Sequence, residues 1–246
     1  MQKSRLVRIV IFYVIAITLS NVFRFDLLHI RENLDKLPAI ITLFFSPMEA
    51  IGIVIGSLIA LYLLRKEQKT EISMFGTSVK WSLIMCIIPI VLLAIIGVNN
   101  DKNDNTHYYG LLAGISTFIY CYCEEMGWRG YLEEELKGFA ELKRIVIIAV
   151  LWYVWHLSFL RNHDIVQNLT FFGWLLLGSW GIGKVVQLTK SIFAAACFHM
   201  IINVVMFNEY LTKGLSSNSK IIIPCVSVLI WILILRRWKK ETVVVK

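Results

Sequence analysis

Apolar runs of about 20 residues, long enough to cross a bilayer as helices, recur from one end of the chain to the other. A chain of this pattern has few choices. In lipid every backbone polar group must find a partner within the protein, and a helix does this within a single segment. With 57% hydrophobic residues and a mean hydropathy of +0.68, the composition argues against a water-soluble fold. The expected fold class is all-α: a polytopic membrane protein of about eight transmembrane helices, with its active site inside the helical bundle. The predicted spans are 6–25, 38–64, 79–98, 109–123, 144–160, 168–188, 191–211 and 220–235. No internal repeat, low-complexity tract or linker divides them, so 1–246 reads as a single membrane domain.

The basic residues lie between the apolar runs rather than along one stripe. The net charge of +8 is therefore a statement about topology, and no nucleic-acid partner is expected. Most of the 25 Lys and Arg fall on one side if both termini are cytoplasmic. That side carries Lys3, Arg5 and Arg8, then Arg65, Lys66, Lys69 and Lys80, then the Arg236, Arg237, Lys239, Lys240 tail. The basic flank of the first run could open a signal peptide, but no small-residue cleavage site follows, so a retained span is expected. Compact loops and the lack of organellar targeting signals point to a bacterial cell membrane. The five cysteines form no CxxC pair, which argues against zinc-finger and disulfide frameworks and for core packing.

Two adjacent carboxylates, Glu124 and Glu125, end the fourth apolar run. An ionised group at the bilayer centre costs roughly 2.5 to 3.5 kcal/mol on insertion scales, so intramembrane acids face a protein interior and mark function. On a helix Glu125 and Arg129 share a face and are expected to pair. Glu124 points elsewhere, which leaves it for general base or acid work. The fourth run descends toward the cytoplasm, so the acids are expected in the inner half of the membrane. Beyond them, Glu133, Glu134 and Glu135 read as a solvated face at the inner interface. Glu49 lies mid-span and is expected either to line a cavity or to pair with a buried donor.

Two further polar sets sit in apolar runs: Trp152-Tyr-Val-Trp155-His156 in the fifth, and His199 with Asn203, again four apart, in the seventh. Two histidines, an asparagine and two acids at compatible depth point to one site. A carboxylate and an imidazole can hold and deprotonate a water, while a second imidazole and an amide can donate to an oxyanion. The same groups suit a divalent metal such as zinc, with Glu124, His156 and His199 as the ligand set if one is present. HExxH is absent, so zincin chemistry has no support. An ion-coupled transporter using Glu49, Glu124 and the histidines is a weaker alternative, because no inverted repeat is evident. The glycines Gly178, Gly181 and Gly183 are expected to serve close helix packing.

In order, Glu124-Glu125-x-x-x-Arg129, Trp152-x-x-x-His156 and His199-x-x-x-Asn203 resemble the motif set of the CPBP family, the CAAX proteases and bacteriocin-processing enzymes also called Abi proteins. The resemblance covers 109–211 as a catalytic core and leaves 1–108 as variable N-terminal spans and 212–246 as a last span with a basic tail. It implies an intramembrane endopeptidase in which Glu124 activates water with His156, His199 and Asn203 stabilise the oxyanion, and Glu125 and Arg129 support the geometry. Trp152 departs from the phenylalanine usual at that position. The family has been described both as metal-dependent and as a glutamate-type protease. The implied partner is a peptide or membrane-protein substrate, with prenylated proteins an alternative. A non-catalytic immunity or regulatory protein of the same fold is the other reading.

Overall fold

The computed structural model describes residues 3–34, 36–65 and 70–244. Eight principal helices follow one another: α1 Lys3–Arg24, α2 Ile51–Leu58, α3 Val79–Ile96, α4 Thr106–Glu125, α5 Glu141–His156, α6 Ile165–Thr189, α7 Ile192–Ile202 and α8 Ser217–Val244. Among the described residues the only β pairing is two isolated bridges, and the all-α, multi-pass expectation holds. Lys66 and Lys69, counted above with the basic side, lie outside the described residues.

Several helix starts are written locally. Ser78, Asn105, Asp164 and Ser191 each accept a backbone N–H from the first turn of α3, α4, α6 and α7, satisfying donors that a helix leaves unpaired. The second predicted span is not one rod. A short helix, Ala39–Leu43, gives way to a 3-10 turn, Ser46–Ala50, before α2 begins, and Pro47 in the first turn has no N–H to lose there. Glu49 sits in this break.

Among the described residues, six stretches are long and apolar enough to cross a membrane: Ser4–Arg24, Ile41–Leu64, Val79–Ile96, Glu141–Leu160, Ile165–Thr189 and Ser217–Glu241. The count of eight is thus approximate. The two helices that fall short, α4 and α7, carry Glu124, Glu125, His199 and Asn203. Both lie inside the bundle: α7 packs against α3, α4 and α6, so protein takes the place of lipid around their polar groups. Outward-facing Val14, Ile87, Leu177 and Leu229 on α1, α3, α6 and α8 are exposed instead, as lipid-facing positions are.

The close approach of α1 and α2 depends on Gly52 and Gly56. A Cβ at either would stand 2.6 Å from Ala16 O or 2.8 Å from Phe12 O, a small-xxx-small contact of the kind that lets membrane helices meet backbone to backbone. Two apolar clusters result. One joins α3, α4, α7 and α8 around Met85, Met200 and Trp231; the other joins α1, α2, α5 and α6 around Phe12, Trp128 and Trp155. Tyr122 and Phe198 touch both, so the clusters meet along α4 and α7.

The bundle has two polar ends. At the end where α1 starts and α8 finishes, Arg8 bonds Glu135, Ser73 N bonds Lys190 O and Trp81 Nε1 donates to Glu241 Oε2. At the opposite end Asn99 N bonds Gly214 O and Arg161 donates to Arg24 O.

Candidate active site

Both site-bearing helices change pitch at the site. Glu124 and Glu125 are the last residues of α4, after which the chain widens into a π-helical segment, Met126–Leu132, and a last short turn, Glu133–Glu135. Asn203 is the first residue of another π segment, Asn203–Phe207, that continues α7. Such insertions cluster at functional sites because they re-aim side chains that a regular helix would fix. His156 closes α5, and Leu157, with φ 48°, ends that helix in the left-handed region.

Glu124 is fully buried and is held from one side. Its Oε2 accepts from the indole N–H of Trp152 at 2.7 Å and of Trp128 at 3.3 Å, while its Oε1 has no hydrogen-bond partner. Trp152 also links Glu124 to His156, whose Nδ1 lies 2.8 Å from Trp152 O. A carbonyl only accepts, so Nδ1 carries the proton and Nε2 presents its lone pair in the neutral ring. No hydrogen bond joins His156 to Glu124 directly.

Glu125 has two partners. Its carboxylate meets Arg129 Nη1 at 3.0 Å, as the spacing predicted, and also His199 Nδ1 at 2.9 Å. The guanidinium of Arg129 stacks over Trp152, 4.7 Å from the ring centroid, and reaches Gly178 O at 3.5 Å. His199 packs edge-on to Trp152. Asn203 Nδ2 lies 3.4 Å from both Cys121 Sγ and His199 O, long contacts that hold the amide loosely.

All four expected catalytic residues, Glu124, His156, His199 and Asn203, line one cavity of about 870 Å³. Arg129 and Glu125 are buried behind it. Glu49 meets both expectations, since it lines the cavity and lies 3.5 Å from Arg24 Nε. Sequence reasoning missed the tryptophans as donors, and it missed Tyr120, which lines the cavity close to Glu124. Tyr120, Glu124 and Trp128 form an i, i+4, i+8 stripe that would have flagged all three. Gly178 is buried beside Trp152, but Gly181 and Gly183 have open space where a Cβ would stand, so the close-packing expectation does not extend to them.

One expectation is overturned. Glu133, Glu134 and Glu135 are not a solvated face: they are 9%, 7% and 1% exposed. The start of α1, the loop after α2 and the start of α5 close over them with cations. Glu135 meets Arg8 at 2.9 Å, Arg5 at 3.6 Å and Arg65 at 3.7 Å; Arg144 meets Glu133 at 2.7 Å. Burial pushes the Glu133 carboxyl up, with Arg144 pulling the other way. Among the described residues, the exposed lining of the cavity includes Asp101, Lys102, Glu209 and Lys213, at the end opposite the termini.

A metal held by Glu124, His156 and His199 does not fit this arrangement. The donor atoms a metal would need, Glu124 Oε1 and the Nε2 atoms of the two histidines, are not engaged by Trp152 or Glu125, so the misfit lies in how these side chains are placed. Among the described residues no three His, Cys, Asp or Glu side chains converge as a ligand set.

Comparison with known families bears on this site directly. The family model described as type II CAAX prenyl endopeptidase Rce1-like matches residues 80–205, about half of the chain, from the start of α3 through α7. The chain belongs to the Rce1-like family. Membership places it among membrane-embedded peptide hydrolases with peptide or protein substrates. The Rce1-like segment contains every residue of the carboxylate, histidine and asparagine set. No match was found among curated proteins.

Proposed function

We propose that the chain is an intramembrane endopeptidase in which Glu124 is the general base. The observation that carries this is the asymmetry of one buried carboxylate: Oε2 is fixed by two indole donors, and Oε1 is left without a protein partner beside a cavity large enough for a short stretch of polypeptide. A water bound to Oε1, with the Nε2 lone pair of His156 as a second acceptor, attacks the scissile carbonyl carbon. Its proton passes to Glu124. The C–N bond then breaks, and Glu124 returns the proton to the leaving amine nitrogen. General acid–base help of this kind supplies about two to four powers of ten in rate.

The oxyanion falls to His199 and Asn203. With Nδ1 facing a carboxylate, His199 offers an Nε2–H only as the imidazolium, and Glu125 provides the countercharge while Arg129 keeps that carboxylate in place. Asn203 Nδ2 turns from its two long contacts at small cost. One such donor is worth about two to three powers of ten.

Quantitative mass spectrometry of protein termini tests the reading, on membranes from cells carrying the wild type or Glu124→Gln at equal expression. New ends present only with the wild type are expected. Identical sets of ends would favour the immunity or regulatory reading.

A further inference from the structure

The cavity has a direction. Its buried floor is Glu124, His199 and Asn203, and its walls lead to exposed Asp101 and Lys102 in the loop after α3 and to exposed Glu209 and Lys213 in the short helix Glu209–Gly214 that follows α7. In the opposite direction the chain is closed. About 15 Å of helix by rise, Met126 to Glu135, separates Glu124 from the terminal end, and Trp128, Arg129, Tyr131 and Leu132 along it are fully buried. The three paired glutamates and the arginines over them cap that side.

The two ends also differ in charge. At the capped end Lys80, Lys143, Arg236 and Arg237 add to the arginines already paired. At the open end stand seven of the 25 Lys and Arg, Arg24, Arg31, Lys36, Lys102, Arg161, Lys213 and Lys220, offset by acids that include Asp26, Asp101, Asp104, Asp164 and Glu209. An excess of Lys and Arg in short loops marks the cytoplasmic side, whereas acids contribute little to orientation.

From these two facts together we infer that the active-site cavity opens to the extracytoplasmic face, and that the substrate is a polypeptide exposed there, either an exported peptide or an outer segment of a membrane protein. The direction of the mouth follows from geometry and charge alone; the substrate rests on the proteolytic function proposed above. A prenylated C-terminus held in the cytoplasmic leaflet approaches from the capped side, where buried side chains and ion pairs stand between it and Glu124. An extracytoplasmic segment meets the rim directly, and its polar backbone descends a wall that offers Asn208, Ser158 and Tyr120.

Cysteine accessibility in intact cells tests this with the full-length chain. Asp101→Cys and Lys213→Cys place a thiol on the rim, Lys80→Cys places one at the capped end, and the wild type with its own five cysteines sets the background. With a membrane-impermeant maleimide, the rim variants are expected to be modified in intact cells, and Lys80→Cys only after permeabilisation. The reverse pattern overturns the inference. The same cells, compared by terminal-peptide mass spectrometry, are expected to show wild-type-specific ends in exported or outward-facing sequences. Ends confined to cytoplasmic sequences overturn the substrate assignment. If labelling follows the expected pattern but the wild type and Glu124→Gln yield the same ends, the proteolytic reading fails, and the substrate assignment with it, while the direction of the mouth stands.

Discussion

Trp152 donates its indole N–H to Glu124 Oε2 at 2.7 Å and accepts from His156 Nδ1 through its own carbonyl. One residue thus orients both the carboxylate and the imidazole, from a position where the resemblance to related motifs led to the expectation of phenylalanine. Trp152→Phe keeps the aromatic contact with His199 and removes only the donor. A hydrogen bond to a charged group is worth about 1.5–3 kcal/mol, so turnover is expected to fall about 10- to 100-fold if the bond persists in the transition state. Unchanged turnover at unchanged thermal stability would show that Trp128 alone suffices to hold the carboxylate.

Arg129→Ala leaves Glu125 buried with only His199 for countercharge. Breaking a buried pair from one side typically costs about 3–5 kcal/mol. A lower melting temperature in detergent and reduced expression are expected alongside lost activity, and the double substitution Glu125→Gln with Arg129→Gln is expected to recover part of the stability. A stable, inactive Arg129→Ala would assign the arginine to chemistry rather than to holding the fold.

Glu135→Gln separates the cap from the site. Glu135 meets three arginines while itself buried, so the loss of charge is expected to cost about 1.5–3 kcal/mol. Activity per folded molecule is expected to stay near wild type, because this carboxylate does not line the cavity. Thermal melts paired with activity assays at matched folded fractions check both halves.

Acid sensitivity follows from Glu71. Hydrogen bonds from Lys137 and Lys190 hold its carboxyl below the usual range, and the same contact raises Lys137. A depressed carboxyl contributes its stability above the ordinary carboxylate value and loses it as pH falls through the lowered one. The wild type is therefore expected to melt above Glu71→Gln at neutral pH, with the gap closing in acid. The group is exposed, so the effect is small, and a gap that widened in acid would contradict the assignment.

What was legible in the sequence was the chemistry carried by helical spacing. Glu125 with Arg129 could be paired from residue numbers alone, and hydrophobic length, a direct record of the bilayer, located the six stretches long and apolar enough to span among the described residues. The break around Pro47 and the π segments after Glu125 and from Asn203 could not be read, since they depend on which neighbours pack against those turns. Burial of Glu133 to Glu135 was hidden for the same reason. A charged run looks solvated until the arginines that cover it, separated by up to about 130 residues of chain, are brought to it by the fold. The Gly52 and Gly56 contact, by contrast, was readable from its spacing and was missed.

The most direct test of the central claim is oxygen labelling at the cleavage site. Purified wild type and Glu124→Gln, each in proteoliposomes, are incubated in ¹⁸O water with a peptide spanning a cleavage site identified in cells. The account predicts that the wild type places one ¹⁸O in the new carboxyl group and that Glu124→Gln slows its release by about two to four powers of ten. Cleavage by Glu124→Gln at the wild-type rate would contradict the assignment of Glu124 as the base that activates water.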